Sequence, residues 1–151
     1  MHKILYALQI PLLWSVILLC MLFYPMLISI YVFLPLLIGV MGYILMKGID
    51  EGKIHYIVVS ILYLINLEVN LSLPFFLTII VSLLVYVLFF VHFRYFSKCH
   101  ACKAFLSIFL INSLYLGALL AYDFLFQTNS IVIDNVLFYT LFSDLLLVVL
   151  V

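Results

Sequence analysis

Residues 4–46 form an almost unbroken apolar run, and no other feature limits the possible folds of this chain as strongly. Continued as one helix at about 1.5 Å per residue, the run would reach roughly 64 Å, about twice the hydrocarbon thickness of a bilayer. Two helices folding back on each other are therefore expected. The sequence Phe23-Tyr24-Pro25 supplies the best hinge, since aromatics suit a membrane interface and proline breaks a helix. Helix 1 is expected over about 4–23 and helix 2 over about 27–46, with Pro11 and Pro35 tolerated inside them or kinking them.

Composition points the same way. Of the 151 residues, 70% are hydrophobic and only 8% are charged, against about half and a quarter in a soluble domain. A water-soluble core of this length cannot hide so much apolar surface, so lipid is the expected solvent. The basic start at His2-Lys3 followed by an apolar run is signal-like, but no A-x-A-type cleavage site follows, and a retained first helix is expected. The formal net charge is zero, with no basic face for nucleic acid. One domain, 1–151, is the economical reading.

The stretch Asn66-Leu67-Glu68-Val69-Asn70-Leu71-Ser72-Leu73-Pro74 is where polar residues crowd into the hydrophobic middle. Its polar and apolar residues alternate with a period of two, which fits a helix poorly. Pro74 blocks a helix from continuing through it. The stretch is expected to be a tight turn between membrane helices over about 54–70 and 75–93, with Glu68 near one membrane surface and solvated there. Polar loops are expected at 47–53, 94–103 and 127–130, with helix 5 over about 104–126 and helix 6 over about 135–151. The last apolar run, 136–151, is a marginal span. It is expected to recruit 131–133 or to belong to a chain cut short at its C-terminus.

These elements make an all-α integral membrane protein, a bundle of six transmembrane helices with both termini cytoplasmic. That count places all six Lys and Arg residues (Lys3, Lys47, Lys53, Arg94, Lys98 and Lys103) on one side. The positive-inside rule makes that side the cytoplasm. Five helices would scatter them across both. The 11 Tyr and 14 Phe suit interface belts and lipid-facing packing.

Few residues offer chemistry. Cys99-His100-Ala101-Cys102 has the spacing of a metal or redox pair. A zinc site needs about four ligands, however, and a thiol oxidoreductase works on the oxidising side of a membrane. The expected reading is an incidental pair in a basic cytoplasmic loop, with Cys20 a small apolar residue. Asp144 lies inside the last helix, where a carboxylate faces the bundle interior and a partner. Asn112, Ser113 and Ser60 count to a similar depth. Either a polar site or an internal hydrogen bond that fixes packing is expected there. Asp123 belongs at the outer interface, and Gly39, Gly42 and Gly117 are expected at close helix contacts. The four histidines, His2, His55, His92 and His100, scatter near one surface. Catalytic motifs are absent, so no enzyme, cofactor or metal is expected.

The layout resembles the rod shape-determining MreD family, small polytopic subunits of the bacterial elongation machinery. The residues that carry the resemblance are Pro35 in Phe33-Leu34-Pro35-Leu36-Leu37, the turn Asn66–Pro74 some thirty residues later, and His92-Phe93-Arg94-Tyr95 ending the next helix. The family's turn has the form Asp-Leu-x-x-Gly-x-x-Leu-Gly; here Asn66 replaces the Asp, and Asn70 and Pro74 replace the glycines. Asn accepts the left-handed conformations that Gly favours. The missing carboxylate leaves any charge-specific role to Glu68. The resemblance implies a non-enzymatic scaffold in the bacterial inner membrane. Its partners would be the bilayer, an MreC-like bitopic protein and other elongation subunits. Contacts are then expected at Asn66, Glu68, Asn70, Pro74, Asn112 and Asp144. Two rivals stand beside it. A substrate-binding membrane subunit of a vitamin importer would use Asn66, Glu68, Asn70 and Asp123, and a thiol oxidoreductase would use Cys99 and Cys102.

Overall fold

A computed structural model describes residues 2–31, 34–90, 92, 100–127 and 135–150, with side chains described over 14–31, 34–89, 92, 102–127 and 139–147. The described residues are almost entirely helical, in the order α1 (His2–Ile30), α2 (Ile38–Glu51), α3 (Ile54–Asn70), α4 (Leu77–Val85), α5 (His100–Phe126) and α6 (Asn135–Leu150). A π-helical turn, Tyr86–Phe90, extends α4.

Six helices agree with the expected count, but the first hinge is not where Pro25 suggested. Helix α1 runs through Pro25 to Ile30 and α2 starts at Ile38, with Pro35 among the non-helical residues 34–37 just before it. Either proline removes a backbone donor. At the later one, the freed backbone groups find partners. Tyr24 donates its hydroxyl to the Pro35 carbonyl at 2.9 Å, and Tyr63 donates to the Leu36 carbonyl at 3.0 Å. Tertiary contacts thus chose between two prolines of equal local strength. Helix 2 accordingly starts at Ile38 instead of residue 27 and ends at Glu51, so 47–51 is helix and not loop. At 14 residues it is about 21 Å long, shorter than a bilayer's hydrocarbon core.

The α2–α3 connection is as tight as the polar run at 47–53 implied. Gly52 adopts the left-handed conformation (φ 66°) that closes α2, and Lys53 N–H returns to the Gly48 carbonyl at 2.9 Å. Lys53 Nζ lies 2.7 Å from Glu51 Oε2, a hydrogen bond that holds the Glu51 carboxyl below its usual range.

Helix α2 lies at the centre, packed against α3, α4, α5 and α6, while α1 lies on α3 and α6 on α5. Met41, Leu45, Met46, Leu64, Leu67 and Ile111 form the buried heart. The outside is also apolar: Phe75, Val87, Phe124 and Phe142 are among many large side chains left exposed. Among the described residues one helix, Cys102–Phe126, is long and apolar enough to cross a membrane. Trp14–Ile30, Ile54–Asn70 and Leu77–Phe89 are shorter apolar helices.

Candidate functional site

Two buried carboxylates organise the polar chemistry of this fold, and each sits at the start of a helix contributed by another part of the chain. The first is Glu68. Helix α3 covers the expected 54–70, so Asn66, Glu68 and Asn70, whose alternation fits a helix poorly, all lie on its last turns. Packing overrode the alternation, because Leu67 and Glu68 are both fully buried and only Val69 among these five is exposed. The reversal follows at Leu71–Phe76. Its left-handed residues are Ser72 (φ 52°) and Phe76 (φ 62°), not Asn70.

Glu68 is not solvated at a surface, as its position beside the turn had suggested, but has no exposed area. Its Oε2 accepts the Phe76 N–H at 2.7 Å. Its Oε1 accepts the Thr78 N–H at 2.8 Å and the Thr78 hydroxyl at 2.6 Å. The first amides of a helix have no partner within it, and an anion there also meets the positive end of the helix dipole. Glu68 therefore caps α4 from across the turn. Ser82 continues the buried polar line by donating to the Thr78 carbonyl at 2.7 Å.

Asn66 and Asn70 are tied locally. Asn70 Nδ2 donates to the Asn66 carbonyl and side-chain oxygen at 2.7 and 2.8 Å, and Asn66 Nδ2 donates to the Leu22 carbonyl on α1 at 2.7 Å. Pro74 is half-buried, its carbonyl facing the Leu77 N–H at 3.4 Å. The polar groups of the 66–74 stretch thus join α1, α3 and α4 to one another.

The second carboxylate, Asp144, also has no exposed area. Its Oδ2 accepts the Gly39 N–H, at the beginning of α2, at 2.9 Å and Asn112 Nδ2, from α5, at 3.2 Å. By helix rise, Asn112 lies about 18 Å from one end of α5 and about 21 Å from the other, so the meeting point is mid-bundle. The expectation that Asn112 and Asp144 share a depth is met. Ser60, expected beside them, is buried with no partner for its hydroxyl among the described residues, and Ser113 faces outward.

Gly39 makes the approach possible. A Cβ there would lie 2.5 Å from Asn112 Nδ2, 2.7 Å from Ile108 Cγ2 and 2.9 Å from Asp144 Oδ2. Gly42 is nearly as close, 2.8 Å from Ser82 Oγ and 3.0 Å from Ile111 Cδ1. Gly117, expected at a helix contact, instead faces open space, with nothing within 4 Å of a Cβ. Gly39→Ala should therefore cost about 2–4 kcal/mol of unfolding free energy through overpacking and loss of the Asp144 bond. Gly117→Ala should leave stability unchanged or raise it by up to about 1 kcal/mol through helix propensity. Thermal unfolding of the purified variants separates the two.

The sequence reading missed Gly39 as a donor and both tyrosine hydroxyls. The only local signal was Pro35, which marks the break but not what comes to fill it. Of the pair proposed for thiol chemistry, Cys99 lies outside the described residues. Cys102 is exposed on the first turn of α5, since that helix begins at His100 and not at residue 104. Among the described residues no three His, Cys, Asp or Glu side chains gather to hold a metal ion. Comparison of the chain with protein-family models, curated proteins and solved structures finds no match.

Proposed function

We propose that the chain is a six-span protein of the bacterial inner membrane with both ends in the cytoplasm, and that it acts as a non-enzymatic, MreD-like scaffold of the cell-elongation machinery. The observation that carries the reading is how the 66–74 polar groups are used. Glu68, Asn66 and Asn70 are occupied in bonds that set the relative positions of α1, α3 and α4. A site that turns over substrate leaves such groups facing a cleft, whereas a scaffold uses them to hold a shape. Lipid as solvent accounts for the exposed Phe75, Val87, Phe124 and Phe142 side chains, and a cytoplasmic face for the one-sided Lys and Arg. An MreC-like protein would meet the chain along helix faces and the outer turns.

Two experiments test this. Reporter fusions after Lys53 and Lys103 should behave as cytoplasmic, and fusions after Ser72 and Ser130 as external; an external result at Lys103 overturns the six-span topology. In a rod-shaped host with no second copy, deletion should round the cells. Glu68→Lys and Asn70→Val should weaken rod shape and co-purification with an MreC-like partner, while Cys99→Ser with Cys102→Ser should do neither. Normal shape after clean deletion rejects the scaffold.

A further inference from the structure

The two buried carboxylates are not equivalent. Both oxygens of Glu68 receive donors, three in all. Asp144 receives two, both on Oδ2, while Oδ1 is buried with no hydrogen-bond partner among the described residues. The groups facing it from each neighbouring element are spoken for or uncharged. Tyr24 on α1 and Tyr63 on α3 give their hydroxyl protons to the Pro35 and Leu36 carbonyls. Asn112 on α5 donates to Oδ2, and α2 offers the Gly39 amide to the same oxygen. Tyr139, on α6 itself, is exposed. The described lysines, Lys3, Lys47, Lys53 and Lys103, lie at or beside helix ends. The start of α2 contributes only about half a positive charge. A carboxylate enclosed in the bundle therefore lacks a full counter-charge among the described residues, and buried charges are paired.

We propose that Oδ1 of Asp144 is the binding site of a small exchangeable monovalent cation, a proton or a sodium ion. A mid-bundle carboxylate bonded to the first amides of a helix, here Gly39 of α2, and left with one oxygen unpaired is placed to hold such an ion. One carboxylate is too little for a divalent ion. The site bridges α2, α5 and α6, so its occupancy sets how firmly α6 is held. This inference needs the bundle geometry and is independent of the scaffold role.

The test uses the purified full chain in detergent, unfolded thermally across a pH series in sodium chloride and in choline chloride of equal ionic strength. The unfolding temperature should rise on the order of 5 °C on saturation, and Asp144→Asn should remove most of that rise. A rise with sodium at constant pH identifies sodium. A rise only as pH falls identifies the proton, because the folded chain then binds more protons than the unfolded one. Infrared spectra of the unmutated protein give a readout that needs no variant. A carboxylic-acid carbonyl band that disappears at high pH supports the proton, and its absence together with sodium-dependent stability supports sodium. No such band and no response to either cation overturns the proposal, as does an equal response in Asp144→Asn.

Discussion

Asp144→Lys should prevent assembly of the bundle. The substitution removes the acceptor for the Gly39 amide and the Asn112 side chain. It also places an ammonium at the positive end of α2, where no anion remains to pair with it. Space adds to the penalty, because the Gly39 backbone already approaches this point as closely as its missing Cβ allows. Breaking such a buried arrangement costs about 3–5 kcal/mol, a large part of the stability of a chain this size. The measurement is the yield of folded protein in the membrane fraction, followed by its unfolding temperature. Asp144→Asn keeps an oxygen acceptor of the same shape and should fold. Normal yield and stability for Asp144→Lys would mean that residue 144 lies at the surface.

Glu68→Leu is the second severe change. It leaves the Phe76 and Thr78 amides and the Thr78 hydroxyl without acceptors at the start of α4. The two Thr78 donors are buried and each costs about 1–3 kcal/mol when left unpaired, so a loss of roughly 2–6 kcal/mol is expected. Glu68→Gln should fall between, since its amide oxygen still serves Thr78 while its NH2 group meets the Phe76 N–H head on. Hydrogen exchange should localise the damage to 76–82, with α5 and α6 little affected. Equal protection of those amides in Glu68→Leu would show that the cap contributes nothing.

Much of the fold was readable because hydrophobicity and charge are properties of composition and order. The apolar run at 4–46 is too long for one bilayer-length helix, the polar run at 47–53 forces a reversal that the chain makes at Gly52-Lys53, and Pro74 stops α3 from continuing. These are local facts, and α3 begins and ends where they require. Asp144 announced itself as a carboxylate in apolar surroundings. Its pairing with Asn112 was within reach by counting residues from helix ends.

What local sequence left open is where tertiary partners decide between equal options. Pro25 and Pro35 each remove one donor. Tyr24, Tyr63 and Asp144 converge only on the second, so the helix breaks there. The alternating polar residues at 66–70 fit a helix poorly, yet Glu68 joins α3 because Phe76 and Thr78 come back to satisfy it from beyond the reversal. Gly39 and Gly117 look alike in sequence, and only packing puts one against Asn112 and Asp144 and the other in open space. Hydropathy sums over neighbours along the chain, and it determined that helices form and how many. Hydrogen bonds to freed backbone groups depend on residues up to 105 positions apart, so only the assembled bundle could determine where those helices stop.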